Sequence, residues 1–224
     1  MIKKLRESKL LVSFIFLFTL VACQEENERV LPIVGERDVE YKMVDGVEVA
    51  DTIYHHVPEF QYINQDSILI KSKDLKDRIW VTDFFFTKCP TICPPMTSQM
   101  KRLNENVADL MDEIYFLSFS IDPERDTPSA LVKYKEAYGI TADNWHFFTG
   151  DEEATHLLAK EFFNGAERND EIDGGFGHTS YFALVDKDGL VRGIYDGTSV
   201  EEVDKLETDL RKLLKYEYDI EGRE

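Results

Sequence analysis

The chain is predicted to fold as an α/β domain preceded by a β-rich N-terminal extension, and three observations predict it. Ile79 to Phe86 is aromatic and apolar almost throughout, the pattern of a strand buried on both faces. Pro94 and Pro95 follow closely, where they suit the first turn of a helix, since the N–H they lack has no partner there. Beyond them strand-like and helix-like runs alternate, whereas Ile33 to about Ile70 holds only short β-like runs between turn signals.

Each element then follows in order. Asp45-Gly46 between apolar segments reads as a hairpin turn. Pro58-Glu59-Phe60 leads into the polar turn Asn64-Gln65-Asp66-Ser67, and then into Ile68-Leu69-Ile70. The helix opened by Pro94 is expected to reach about Asp112, with Met96, Met100, Leu103, Val107 and Leu110 or Met111 on one face. Ile114 to Ile121 is a second core strand, and Pro128 to Tyr138 a helix ended by Gly139. Trp145 to Thr149 is a short strand and Asp151 to Phe163 a helix. Asn164 to Gly177, with four acidic residues and four glycines, is expected to be a mobile loop. Thr179 to Val185 and Val191 to Tyr195 are strands joined by the turn Asp186-Lys187-Asp188-Gly189. An amphipathic helix from about Val200 to Leu214 closes the domain. This is the element order of a thioredoxin-like fold, in which redox or metal cysteines sit on the turn after the first central strand. Cys89 and Cys93 occupy that turn.

The ends bound where the protein works. Lys3, Lys4, Arg6 and Lys9 precede an apolar run from Leu10 to Ala22, which is short for a membrane span and has the form of an export signal. Leu20-Val21-Ala22-Cys23 resembles a bacterial lipobox, so Cys23 is expected to carry lipid; the alternative is an uncleaved anchor helix. Either way the protein is expected to be exported and membrane-anchored, facing the periplasm or cell exterior. The expected division is an export signal over 1–22, an acidic tether over 23–32, the β extension over 33–56, the thioredoxin-like domain over 57–216 and a charged tail over 217–224. Residues 1–22 hold four basic residues and one acidic one, so their removal takes the net charge from −18 to −21. That charge excludes nucleic acid as a partner, because its recognition depends on basic surface.

With Cys23 assigned to lipid, two of the three cysteines remain. An even pair in an exported protein is by default a structural disulfide. A bridge across three residues restrains the unfolded chain little, which favours chemistry over stapling. At a helix N-terminus the free N–H groups and the dipole favour the thiolate, which is both the nucleophile of disulfide exchange and a metal ligand. The spacing is Cys-x-x-x-Cys, one residue longer than in thioredoxin-type reductases. Gly177-His178-Thr179-Ser180 places a histidine where those enzymes carry a proline facing the thiols. Two thiolates and a neutral imidazole suit copper, as Cu(I) or Cu(II). A zinc structural site would want a fourth ligand. A peroxidase of the peroxiredoxin kind would want a proline and a threonine ahead of the attacking cysteine, and Phe84-Phe85-Phe86-Thr87-Lys88 offers no proline.

Three stretches carry a resemblance. Thr87 to Met96 (TKCPTICPPM), Ser120 to Pro128 (SIDPERDTP) and Gly177 to Gly189 (GHTSYFALVDKDG) together resemble the Sco (SenC-type) family of copper-binding cytochrome c oxidase assembly proteins, over roughly Val57 to Leu214. The resemblance implies Cys89, Cys93 and His178 as copper ligands. It also implies cytochrome c oxidase subunit II, through its dinuclear copper (CuA) domain, as partner, with other copper chaperones as further partners. The expected role is that of a metallochaperone, with a thiol-disulfide oxidoreductase acting on the target's cysteines as the alternative. Asp122 and Asp126 are candidates for orienting a ligand or supporting the cysteine loop, against a reading as turn and helix cap around Pro123 and Pro128; Asp83 is a further candidate. Met96 and Met100 are read as core because they share their spacing with Leu103 and Val107. His55 and His56 point to opposite faces of a strand and, with His146 and His156, are read as surface or structural.

Overall fold

In the computed structural model, residues 29–222 are described, so the expected export signal and Cys23 lie outside the described residues. The extension opens with β1 (Arg37–Val44) and β2 (Val47–Tyr54), an antiparallel hairpin. Asp45 and Gly46 turn it with φ of 52° and 82°, the two left-handed positions a type I′ turn requires. The hairpin forms a sheet of its own and is exposed along nearly its whole length. β3 (Gln61–Asn64) and β4 (Leu69–Lys71) join the main sheet instead. Their turn is built by Asn64, whose Oδ1 accepts from the N–H groups of Asp66 (3.0 Å) and Ile68 (2.9 Å).

The core alternates β5 (Ile79–Phe85), α1 (Cys93–Asn106), β6 (Ile114–Ser120), α2 (Pro128–Ala137) and β7 (Trp145–Thr149), with the three strands parallel. Then come α3 (Glu152–Glu161), β8 (Ala166–Arg168), β9 (Phe176–His178), β10 (Tyr181–Val185), β11 (Val191–Asp196) and α4 (Val200–Tyr218). The main sheet has seven strands in the order β11-β10-β5-β6-β7-β3-β4. This is the thioredoxin-like arrangement that the element order predicts, with β3 and β4 added at one edge.

Every residue of β5 is buried, and its alternation feeds two aromatic cores. Phe84 meets Phe119 and Phe162 on one face, whereas Phe85 meets Tyr134 of α2 and Phe147 on the other. Each such side chain contributes about 1.5–3 kcal/mol through burial. α1 and α2 share the second face, joined by a 2.6 Å hydrogen bond between Thr97 and Tyr134 hydroxyls. Met96 and Met100 are fully buried, as expected of core residues, and of the pair Leu110 and Met111 it is Leu110 that packs inward.

Three elements differ from expectation. α1 stops at Asn106 and gives way to a short 3-10 turn over Ala108–Leu110, where Asn104 and Asn106 turn their amides to Asn144 and Glu207. α4 runs past Leu214 to Tyr218, because Glu217 pairs with the buried Arg192 (2.6 Å). The Asn164–Gly177 segment is a hairpin: β8 and β9 pair Ala166 with His178 and Arg168 with Phe176, with Ala166 and Phe176 buried beneath. Its acidic and glycine content set the exposed tip, but the buried pair holds the arm on the domain.

Candidate metal centre

β5 ends where the site begins. Phe86 turns the chain, its carbonyl accepting from the Cys89 N–H (3.2 Å), and four residues later Cys93 starts α1. Pro94 and Pro95 fill the first turn at no hydrogen-bond cost. The Cys93 N–H, one of the free donors of the helix end, points at the Cys89 sulfur (3.5 Å). β9 brings His178 over the pair, with Nε2 3.2 Å from Cys93 Sγ and 3.7 Å from Cys89 Sγ. The other ring nitrogen, Nδ1, donates to the Thr179 carbonyl (3.0 Å), which leaves the Nε2 lone pair directed at the thiols.

The two sulfurs are unequal. Cys89 keeps 9% of its surface exposed, and its thiol is pulled down to about 3, chiefly by the hydrogen bond from Cys93, against the opposing effect of burial. Cys93, 1% exposed, is pushed well above the usual thiol range by burial and by its neighbour. Cys89 is therefore the resting thiolate and Cys93 the proton-bearing partner.

Each predicted supporting carboxylate has a place. Asp126 is fully buried and grips the strand-to-helix loop: Oδ2 accepts from the Thr87 N–H (2.9 Å) and Ser120 hydroxyl (2.6 Å), and Oδ1 accepts from the Thr87 hydroxyl (2.5 Å). Asp122 sits one step further out and accepts from Arg125, while burial pushes its carboxyl up. Asp83 lies deeper in β5, accepting from Ser118 Oγ (2.5 Å), and burial raises its carboxyl to about 6. Cys23 lies outside the described residues. Two contributors go unremarked in the sequence reading. Thr87 is the link through which Asp126 reaches the cysteines, and Arg125 ties Asp122 to the β8–β9 arm. Both lie inside the quoted motifs, but nothing local shows which way they reach.

Ligand atoms of Cys89, Cys93 and His178 lie within 4.8 Å of one another, and among the described residues no other histidine joins them. Metal bonds to thiolate and imidazole of about 2.0–2.3 Å, the zinc values, place donors roughly 3.5–4 Å apart across one ion. The two sulfur-to-nitrogen contacts, 3.2 and 3.7 Å, come close to that spacing, so the donor set suits a single soft or borderline metal.

The comparisons with known proteins agree with this geometry. A family model described as SCO1/SenC matches residues 50–215, from within β2 to the last turns of α4. The SCO1 protein homolog of Bacillus subtilis (strain 168) is 34% identical over 167 residues, covering 74% of this chain and 86% of its own. A SCO1/SenC family lipoprotein from Bacillus anthracis str. Ames superposes with a TM-score of 0.65 at 32% identity, over 70% of this chain and 94% of that one. BsSco, a member of the Sco family of cytochrome c oxidase assembly proteins, does so with a TM-score of 0.64 at 33% identity, over 71% and 93%. With the fold, the motifs and the full-domain match in agreement, the chain belongs to the SCO1/SenC family.

Proposed function

We propose that the protein is a membrane-tethered copper carrier that holds one copper ion through Cys89, Cys93 and His178 and supports metallation of the CuA site of cytochrome c oxidase subunit II. The observation that carries this reading is the convergence of two sulfurs and one directed imidazole nitrogen within 4.8 Å. Cu(II) with two thiolates and one imidazole is charge-neutral, which lowers the cost of holding it in a partly buried site. Similarity to BsSco, an oxidase assembly protein, supports the choice of partner. Lipid on Cys23 is the proposed tether; no described helix is long and apolar enough to cross a membrane. A Cys23→Ser chain that no longer fractionates with membranes, where the wild type does, would support it.

The inequality of the thiols favours one second reading, thiol-disulfide exchange on the target's cysteines. The Cys89 thiolate would attack a target disulfide, releasing one target thiolate and forming a mixed disulfide. Cys93 would then lose its proton and displace the second target thiolate, leaving a Cys89–Cys93 disulfide.

Anaerobic titration of the reduced domain with Cu(II), beside His178→Ala, separates the two. One equivalent bound, with an intense thiolate-to-copper absorption that weakens or vanishes in the variant, supports the carrier. Oxidation of the pair with the variant behaving identically supports exchange and removes the role of His178.

A further inference from the structure

His178 closes the base of the β8–β9 arm on its returning strand, and one side chain fastens the tip of that arm to the cysteine side of the domain. Arg125 Nε donates to Asp122, whose side chain is 2% exposed, and Nη2 donates to the Gly174 carbonyl at 2.6 Å. This is the only hydrogen bond from the body to the tip, residues 169–175, among the described residues. The same guanidinium lies 5.9 Å from the Phe86 ring and 5.7 Å from the Phe176 ring, within cation–π range of both. Phe86 is the last residue before the cysteine loop and Phe176 lies two residues before His178; their rings are 5.5 Å apart, and Phe86 also meets the His178 ring edge-on at 5.6 Å.

The close approach is possible because residue 174 is glycine. It has a φ of +94°, and a Cβ there would stand 2.9 Å from the Phe86 ring and 3.2 Å from Pro90. The backbone of the arm therefore rests directly on the cysteine loop, with Arg125 across the seam. The other fastenings hold different places: Thr179 bonds Asn164 (2.8 Å) at the base, and Arg168 bonds Glu152 (2.6 Å) along the outer edge.

We infer that Arg125 is a positioning residue for His178, a latch whose fork joins Asp122 to Gly174 and keeps the imidazole over Cys89 and Cys93. Its side chain is 41% exposed, so it supplies geometry more than core packing. The consequence for copper rests on the carrier reading; the consequence for the arm does not.

The test is hydrogen exchange of the reduced, metal-free protein, comparing wild type with Arg125→Met and Arg125→Lys. In Arg125→Met the amides of Phe176, Gly177 and His178 are expected to exchange about tenfold faster, while those of β5 and β6 are unchanged. Lysine, which cannot fork, leaves an intermediate rate. In the same variants Cu(II) is expected to leave to a chelator about tenfold faster than from wild type, with one equivalent still bound. Unchanged arm exchange in Arg125→Met overturns the latch, as does full rescue by lysine, which would reduce it to a charge effect. A wild-type protein that binds no copper defeats the carrier reading, while the exchange comparison still decides the latch.

Discussion

The Nε2 atom of His178 lies 3.2 Å from the Cys93 sulfur, across 85 residues of chain. Cys93 opens α1, Cys89 lies in the turn before it and the imidazole stands at the base of the two-stranded arm, so the site is complete only when arm and helix are docked.

The thiols should react at different rates. With Cys89 pulled down to about 3, it remains thiolate across the physiological range, whereas Cys93 stays protonated. Iodoacetamide at about pH 5.5 should alkylate Cys89 at least about tenfold faster than an unperturbed thiol, and Cys93 hardly at all. Peptide mass mapping of the modified protein reads this; equal labelling would defeat the assignment.

Asp126 should matter to stability through the cysteine loop. Asp126→Ala leaves the Thr87 N–H, the Thr87 hydroxyl and the Ser120 hydroxyl without their acceptor, at a cost of about 2–4 kcal/mol. Urea unfolding is the measurement. A loss under about 0.5 kcal/mol, within the range of surface changes, would mean that water replaces the carboxylate without penalty.

Asp83 should make stability depend on pH with the sign opposite to a salt-bridged carboxylate. Its pKa rises from 3.8 in the unfolded chain to about 6 in the fold, so the folded state holds the proton more tightly. Stability from this group is complete at low pH and falls as pH rises from about 4 to above 6, by roughly 3 kcal/mol in all. Asp83→Asn keeps an acceptor for Ser118 and removes the ionisation. It should match wild type near pH 4 and exceed it in stability above pH 6. Parallel pH profiles for the two proteins would refute the assignment.

Arg192 should be the most costly single charge to remove. It is fully buried, bonds Asp186 (2.9 Å) and Glu217 (2.6 Å), and donates to the carbonyls of Leu31 (2.6 Å) and Pro32 (3.1 Å). Arg192→Met strands the buried Asp186, and a loss of about 3–5 kcal/mol is expected in denaturant unfolding. The last turn of α4 should also fray, visible as faster amide exchange near Tyr218.

Much of this was legible because local chemistry and fold agree. Thr149 closes β7 where the sequence reading ends it, and Asp151 caps α3 through the Ala154 N–H. Gly139 ends α2 at a φ of +61°. The two thiols at the end of a buried strand and the histidine before a later one were also readable, since each lies in a compact motif. The β8–β9 arm was not. Glycines and acids mark a chain that water tolerates, and they do not reveal that β8 and β9 will pair with Ala166 and Phe176 buried.

By itself the sequence determined the order of the strands and helices outside the β8–β9 arm, the excess of acidic charge, the cysteine pair and its place at a helix start. These follow from periodicity, capping and composition, which act over a few residues. Tertiary structure alone decided that Nε2 of His178 faces the sulfurs, that Asp126 reaches the loop through Thr87, and that Arg125 spans from Asp122 to Gly174. Those contacts join residues 39 to 89 positions apart, and burial and directed hydrogen bonds set their geometry only once the sheet has brought the segments together.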